Sequence, residues 1–300
     1  MPSDRRFFDQ VWLLLMLPPL FWASNAIVGR TVAGAVPPVG LAFWRWTLGA
    51  LLVLPFALRH LAADAVVLRR QWAITGALAL LGIGVFNTFV YIGLNSTSVL
   101  NSVMMQSGIP PLIVLMTFLL FRDRISRLQG AGIALSLVGA MTLISKGDIG
   151  ALARLELNPG DLWIFAAVIC YSGYTALMRR RPAVHPFSFL LVTFALGAAM
   201  ILPFYLFESW NGHPFQPTAL AIGATVYVAL FPSILAYLCF NRLVAVAGPN
   251  RAGLCIHLVP VFGSLAAILF LGETLHLFHV AGIALIATGI WLATRAASAR

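Results

Sequence analysis

Two pairs of polar residues inside long apolar segments have types and spacing suited to binding a small molecule. Asn87 and Tyr91 lie four residues apart, and Tyr237 and Asn241 repeat this pair with the two types exchanged. Residues four apart share one face of a helix. Each pair therefore predicts a surface that hydrogen-bonds the polar part of a ligand. The alternative is that these side chains join neighbouring helices by hydrogen bonds.

Five further candidates for ligand binding are polar or aromatic residues in segments of the same kind: Trp22, Asn25, Gln106, Tyr174 and His257. A lone histidine is usually a packing residue, but one beside a membrane cavity can titrate or donate a proton to a ligand. Tyr174 lies close to Tyr171, and aromatic residues at helical spacing often belong to cores or interfaces. Binding and packing both stay open for these five residues.

Arg45 is the last candidate, because it carries a permanent charge near the start of the apolar run LAFWRWTLGALL. The favoured interpretation is that its side chain extends to the outer membrane interface, where Trp44 and Trp46 anchor the helix. The alternative is that Arg45 faces inward and attracts a ligand carboxylate or the free carbonyls of a broken helix.

No acidic residue is predicted deep inside a membrane span. The nine acidic residues all fall in loops or at helix ends: Asp4, Asp9, Asp64, Asp123, Asp148, Glu156, Asp161, Glu208 and Glu273. A proton-driven exporter of cationic drugs commonly needs a buried carboxylate. The pattern therefore predicts neutral, zwitterionic or anionic solutes, and transport without a buried acid switch.

Enzymatic, metal and cofactor chemistry has little support in the sequence. There is no His-Glu-x-x-His motif and no aspartate pair within the apolar runs. The spacing of Glu273, His276 and His279 drifts around the helix, which does not favour a zinc site. The three cysteines lie in apolar runs and indicate no disulfide or metal framework. We predict no cofactor and no metal, and an intramembrane enzyme is the less favoured class.

The composition shows which elements carry these residues. With 61% hydrophobic residues, 9% charged residues and a mean hydropathy of +0.94, the chain lies far from soluble usage, where about a quarter of residues are charged. It is predicted to be an integral membrane protein with the lipid bilayer as a partner. The net charge of +10 arises from basic residues in short gaps between apolar runs, so nucleic acid is not a predicted partner.

Ten apolar runs are long enough to cross a bilayer as helices, which predicts an all-α membrane fold: 11–29, 38–58, 72–92, 99–121, 128–145, 161–178, 186–207, 219–241, 250–271 and 277–294. The first run is interpreted as an uncleaved span rather than a signal peptide. Most of the 19 Lys and Arg residues fall on one side of the resulting topology. This bias predicts a multi-pass membrane protein with both termini in the cytoplasm.

The sequence repeats itself, because residues 107–140 align without gaps on residues 257–290. The repeat predicts two five-helix units, 11–145 and 161–294. Since five is odd, the second unit must enter the membrane from the opposite side, which gives an inverted repeat. This architecture recurs in secondary transporters, where the substrate lies near the midplane between the halves.

Prolines interrupt equivalent helices of the two units. Pro110 and Pro111 in the fourth run correspond to Pro260 in the ninth, and a proline inside a helix bends it and frees carbonyl groups. We predict that these residues line a cavity or act in gating, although a packing kink would explain them equally simply. The glycines at 82 and 84, opposite Pro232 and Ser233, form a weaker second match.

Several segments resemble the EamA family of the drug/metabolite transporter superfamily: WASNAIVGR (22–30), GDLWIFAAVICYSGYTALMRR (160–180) and FNRLVAVAGPNRAGLCIHLVPVFGSLAAILFLGE (240–273). Within it, the chain is most similar to bacterial amino-acid exporters of the YddG type. The resemblance covers nearly the whole chain and implies ten helices in two inverted repeats. It also implies a central cavity built from helices 1–4 and 6–9, with helices 5 and 10 at the periphery. One departure is FRDR (121–124) in place of the LGE ending retained at 271–273.

These observations together predict a transporter of small-molecule solutes that works by alternating access. Amino-acid export or facilitated diffusion is the favoured activity, with aromatic amino acids as one option, and a multidrug exporter is the alternative. A monomer or a weak homodimer is expected, because GAGIALSLVGA (130–140) and VAGIALIATGI (280–290) carry small residues suited to close packing on outer helix faces.

Overall fold

The computed structural model describes residues 10–148, 150, 158–271 and 274–295 of the chain. Within these residues the fold is all-α, and its helices are α1 (Val11–Thr31), α2 (Pro38–Arg70), α3 (Trp72–Leu94), α4 (Val99–Gln106 and Ile109–Phe121), α5 (Arg127–Ile144), α6 (Pro159–Leu177), α7 (Pro186–Trp210), α8 (Ala219–Ala247), α9 (Pro249–Gly253, Leu254–Leu258 and Val259–Leu271) and α10 (Leu277–Arg295). The predicted fold of ten membrane helices in two inverted five-helix repeats is confirmed.

Helix α2 is longer than its apolar run. It continues past the predicted end at residue 58 and stops only at Arg70. The added segment, RHLAADAVVLRR, contains no proline or glycine and is rich in helix-forming alanine, leucine and arginine. Hydropathy detects only the part of a helix that lies in lipid, so the polar extension was missed.

Helices α5 and α10 pack against each other along their length. A Cβ atom added at Gly132 would lie 2.5 Å from the carbonyl oxygen of Gly289, and one added at Gly139 would lie 2.8 Å from that of Gly282. The backbones can approach this closely only because these positions lack side chains. The small residues expected on outer faces are therefore used inside the chain, and the expected monomer or weak homodimer stays a prediction.

Both α4 and α9 are broken at equivalent positions. Helix α4 is interrupted at Ser107 and Gly108, and Pro110 then lies in the first turn of its second segment. Helix α9 passes through a 3₁₀ segment before Val259–Leu271, which has Pro260 in its first turn. Proline fits this position because the first turn needs no internal N–H donor. The predicted interruptions are thus present in both halves.

Two π-helical segments, Ala79–Val85 in α3 and Ala229–Leu235 in α8, occupy equivalent positions of the repeats. A π-turn shifts the backbone pairing by one residue and is frequent at functional sites. The Tyr237 hydroxyl donates to the Gly82 carbonyl at 2.7 Å, and Trp22 Nε1 donates to the Pro232 carbonyl at 3.2 Å. Each half thus supplies the donor for a carbonyl in the π-segment of the other half. The weaker sequence match, the glycines at 82 and 84 with Pro232 and Ser233, thus belongs to a seven-residue π-helical segment in each half.

Candidate solute-binding site

Arg45 lies at the centre of a polar cluster formed by α1, α2, α3 and α8. Its side chain is fully buried. Nε donates to Ser233 Oγ at 2.6 Å, and Nη1 lies 3.1 Å from Asn25 Oδ1, 2.9 Å from Asn87 Oδ1 and 2.7 Å from the Tyr91 hydroxyl. The cluster joins both halves, because Ser233 belongs to the π-segment of α8 while the other members come from the first repeat.

The inward direction of Arg45 overturns the expectation that it reaches the membrane interface. The buried positions of α2 include residues 42, 45, 46, 49 and 53, which recur at helical spacing and define its inner face. Trp46 is also fully buried, and the Arg45 guanidinium lies over its ring at 4.6 Å. Only Trp44 lies on the outer face, where it is partly exposed. The favoured prediction for Arg45 was wrong because the sequence does not show how α2 is rotated about its axis.

All the hydrogen-bond partners of Arg45 are neutral. In the described residues, no carboxylate lies within ion-pair distance of its guanidinium. The ion pair found in these residues joins Arg179 to Asp123 and does not involve Arg45. Burying a cation without a counter-ion is costly even when its hydrogen bonds are satisfied. The site therefore keeps a net positive charge in a region of low dielectric constant.

The polar pairs found in the sequence form equivalent hydrogen bonds in the two halves. The Tyr91 hydroxyl donates to Asn25 Oδ1 at 3.0 Å, which joins α3 to α1. The Tyr174 hydroxyl donates to Asn241 Oδ1 at 2.8 Å, which joins α6 to α8. The positions correspond in the repeat, but tyrosine and asparagine have changed helices. The interhelical alternative is therefore the one that the structure shows for these bonds.

A narrow cavity of about 50 Å³ lies between the helices next to the Arg45 cluster. This volume is enough for a few water molecules and lies below the roughly 300–1,000 Å³ that is usual for small-molecule sites, so the helices must move apart to admit a solute. Its apolar wall consists of Phe86, Val90, Val103, Ile109, Ile256, Val259 and Pro260. Its polar and aromatic wall consists of Trp22, Asn25, Asn87, Gln106, Ser107 and Tyr171. Once the cavity widens, these walls can contact a molecule with one apolar part and one polar part.

The predicted site residues divide into three groups by position. The cavity wall contains Trp22, Asn25, Asn87, Gln106 and Pro260. Arg45 and Tyr91 lie behind this wall and bond to its two asparagines. The others do not line the cavity: Tyr174, Tyr237, Asn241, His257, Pro110 and Pro111.

Three polar residues of the site were not among the predicted site residues. Ser107 and Tyr171 line the cavity, and Ser233 bonds to Arg45. The repeat contained a signal for Tyr171, because at the offset that aligns Asn25 with Tyr174 it corresponds to Trp22 on the opposite wall. Ser233 had only the weak match with the glycines of α3.

His257 forms hydrogen bonds to two other helices. It is fully buried, its Nε2 lies 2.9 Å from the Ser107 carbonyl, and its Nδ1 lies 2.7 Å from Ser136 Oγ. A carbonyl can only accept, so Nε2 carries the proton and Nδ1 accepts. Because Ser107 and His257 are equivalent positions of the repeat, this bond ties the breaks of α4 and α9 directly together.

One donor on a residue of the cavity wall, the Tyr171 hydroxyl, has no hydrogen-bond partner among the described residues. Asn87 Nδ2 lies beside the Tyr237 hydroxyl, whose proton goes to the Gly82 carbonyl and whose oxygen can accept from Asn87. Buried polar groups are nearly always paired, so the unpaired Tyr171 hydroxyl indicates a place where a ligand or water completes the bonding.

Among the described residues, no carboxylate lines the cavity. Five acidic residues are described, and all lie in loops or near helix ends: Asp64, Asp123, Asp148, Asp161 and Glu208. The remaining four fall outside the described residues: Asp4, Asp9, Glu156 and Glu273. The described residues also contain no cluster of three His, Cys, Asp or Glu that could hold a metal.

A second, wider depression of about 690 Å³ opens at the end of the bundle that carries residues 121–127, 178–186 and 245–251. We call this end the arginine-rich end and the depression the vestibule. Its charged lining residues are Asp123, Arg179, Arg181 and Arg251, and Asp123 pairs with Arg179. The vestibule therefore has a positive balance among its lining residues.

Packed side chains separate the vestibule from the cavity. Along α4 and α9, the residues between the two spaces meet directly: Thr117 Oγ1 donates to Asn250 Oδ1 at 2.9 Å, and Gly253 lies against the buried side chain of Ile113. A Cβ atom at residue 253 would lie 2.5 Å from Ile113 Cδ1. The path from the cavity to the arginine-rich end is closed at this level.

Two inverted five-helix repeats around a central cavity are the architecture of a membrane transporter for small solutes. The chain matches the EamA-like transporter family over residues 11–145 and 158–295, and it belongs to this family.

Relatives of known name support this class. The uncharacterized transporter YyaM of Bacillus subtilis is 26% identical over 95% of this chain and 93% of its own length. A probable amino-acid metabolite efflux pump of Salmonella typhimurium is 28% identical over 93% of both chains. One crystal structure superposes with a TM-score of 0.75 at 22% identity, covering 97% of this chain and 98% of the other. That likeness supports the fold.

Proposed function

We propose that this transporter moves small carboxylated metabolites across the bacterial inner membrane by alternating access, with both termini in the cytoplasm. Amino-acid export, the favoured prediction from the sequence, is one form of this function, and it is supported by the likeness to the Salmonella efflux pump. The observation that carries the proposal is the Arg45 cluster, a buried cation that has no counter-ion among the described residues and lies directly behind the wall of the cavity.

The roles of the site residues follow from their positions. Trp22 and Gln106 contact the solute from the cavity wall. Asn25 and Asn87 also face the solute, and their hydrogen bonds to Arg45 extend the effect of its positive charge to the solute. A hydrogen bond from a cation polarises an amide and strengthens its N–H groups as donors. The pairs at the other predicted positions hold the helices that frame the cavity.

Movement between outward-open and inward-open states needs places where helices can bend. The breaks of α4 and α9 and the π-segments of α3 and α8 occur at equivalent positions in the two halves. We assign Pro110, Pro111 and Pro260 to such bending points, because a helix bends more easily where its regular hydrogen bonds are missing. The arginine-rich end lies on the cytoplasmic side in this proposal, in agreement with the bias of basic residues.

The proposal is tested with purified protein in liposomes and a panel of radiolabelled solutes. The panel contains amino acids, organic acids and hydrophobic cations, and each solute is measured with and without a pH gradient or a membrane potential. We expect transport of carboxylated solutes, and we expect the Arg45→Gln variant to lose most of it. Arg70→Gln, which changes an exposed arginine at the end of the same helix, serves as the matched control.

Two results would contradict the proposal. Strong transport of hydrophobic cations over carboxylated solutes would favour the multidrug alternative. Unchanged transport by a folded Arg45→Gln protein would show that the buried charge has no part in recognition.

A further inference from the structure

We propose that the cavity prefers organic acids that carry a carboxylate and no amino group over the corresponding zwitterionic amino acids. This inference rests on the proposed function and narrows its substrate class. The predicted substrate is a monoanion with an apolar or aromatic body, such as an arylalkanoate.

The first argument is the balance of charge. Arg45 contributes one fixed positive charge, and no carboxylate among the described residues lines the cavity to offset it. An incoming carboxylate is attracted to this charge, whereas the ammonium group of an amino acid is repelled by it. Two unit charges separated by about 8 Å at an effective dielectric constant of about 20 change a binding constant by more than tenfold.

The second argument is the supply of donors and acceptors. The Tyr171 hydroxyl is an unpaired donor on a residue of the cavity wall. Asn25 Oδ1 accepts from both Arg45 and Tyr91, which uses both of its lone pairs, whereas Asn87 Oδ1 accepts from Arg45 and keeps one lone pair. A carboxylate therefore finds a free donor there, while an ammonium group finds one remaining acceptor beside a guanidinium of the same charge.

The third argument is the shape of the remaining wall. Seven apolar residues form the larger part of the lining, and the rings of Trp22, Phe86 and Tyr171 lie among them. The Phe86 and Tyr171 ring centroids are 4.3 Å apart, and those of Trp22 and Tyr171 are 5.8 Å apart at a near-perpendicular angle. An aromatic or aliphatic body fits this wall, and its burial supplies affinity without a second polar contact.

The vestibule provides an independent argument for anionic solutes. Arg181 and Arg251 line it without the carboxylate partner that Arg179 has in Asp123. Openings lined by one sign of charge raise the local concentration of ions of the opposite sign. An organic anion is concentrated at the arginine-rich end, while a zwitterion gains little from the same field.

The test compares two solutes that differ only in the amino group, 3-phenylpropionate and phenylalanine, with phenethylamine as the amine without a carboxylate. Transport into proteoliposomes is measured above the leak of protein-free liposomes at neutral pH. We expect 3-phenylpropionate to be transported with at least tenfold higher efficiency than phenylalanine, and phenethylamine not to be transported. Preference for phenylalanine would overturn the inference and leave the proposed function standing. Absence of transport for both carboxylated solutes would contradict the proposed function itself.

Two variants test the cause of the preference. Asn87→Asp puts a carboxylate of the same size 2.9 Å from Arg45 Nη1, and we expect it to lower the ratio of 3-phenylpropionate to phenylalanine transport about tenfold. Asn211→Asp makes the same change at an exposed position just after the end of α7, and the ratio should not change. A folded Asn87→Asp protein that keeps the wild-type ratio would contradict the role of Arg45.

Tyr171→Phe covers the case in which Asn87→Asp does not fold. It removes the unpaired hydroxyl from the cavity wall and keeps the ring. We expect weaker 3-phenylpropionate transport through a higher KM, with the folded state retained. An unchanged KM would remove the donor argument, and the wild-type comparison of the two solutes would still decide the preference.

Discussion

The hydroxyl groups of Tyr237 and Tyr171 offer a direct test of the bonds that join the two halves. Both tyrosines are almost completely buried, and both lie in the same aromatic cluster around Trp22. The Tyr237 hydroxyl donates to the Gly82 carbonyl at 2.7 Å, whereas the Tyr171 hydroxyl has no protein partner. Replacing each with phenylalanine removes the same atom from two different bonding situations.

The expected magnitudes follow from the partners left behind. Tyr237→Phe leaves a buried carbonyl of a π-segment unpaired, which costs about 1–3 kcal/mol in proteins generally. Interhelical hydrogen bonds in membranes contribute about 0.6 kcal/mol on average and up to about 1.7, so we expect a loss of about 1–2 kcal/mol. Tyr171→Phe leaves nothing unpaired and should be neutral or slightly stabilising.

The assay is reversible unfolding in mixed micelles, followed by tryptophan fluorescence as the fraction of denaturing detergent rises. The quantity compared is the free energy of unfolding of each variant relative to the wild type. If the two variants agree within about 0.5 kcal/mol, the usual scatter for independent sites, the bond to Gly82 does not stabilise the assembly of the halves. Greater damage from Tyr171→Phe would refute the reasoning outright.

Two further predictions concern packing and pH. Gly139→Ala should destabilise the protein by about 1–3 kcal/mol, because its Cβ would lie 2.8 Å from the Gly282 carbonyl. Gly76→Ala is the control and should be neutral or stabilising, because its Cβ would meet nothing within 4 Å. Equal melting temperatures of the two variants would contradict this prediction. Partial burial and a neighbouring histidine lower the pKa of His185 from its usual value. The unfolded chain then binds more protons, so stability should fall as the pH drops below about 6.5. His185→Asn keeps an acceptor for the helix cap and should flatten this part of the profile of melting temperature against pH; an identical profile would disprove the assignment.

The number and direction of the helices could be predicted from the sequence because lipid imposes a simple rule on composition. Each span must be apolar over its full width, and the repeat, with Pro110 opposite Pro260, fixed the relation between the halves. The π-segments were harder to predict, since they depend on one extra residue accommodated by bonds to Trp22 and Tyr237 from distant helices. The sequence around each π-segment does not show these partners, because they lie far away in the chain.

The candidate site was predicted in part for a related reason. Polar residues in spans were correctly selected as interacting groups, but their partners lie far away in sequence, as Ser233 does from Arg45. The direction of Arg45 depends on the rotation of α2, which is set by its packing against other helices. Tyr171 was undervalued because an aromatic residue gives the same local pattern on a cavity wall and in a packed core.

The exchange of donors between the halves has a consequence for how the protein is put together. Trp22 serves the second repeat, and Tyr237 serves the first. In a chain made of two copies of the first repeat, Asn87 would take the position of Tyr237, because the two positions are equivalent in the repeat. Its shorter side chain would not reach the Gly82 carbonyl. The two repeats have thus become obligate, unlike partners: a circular permutant that begins with the second repeat keeps every such bond, whereas a duplicated first repeat does not.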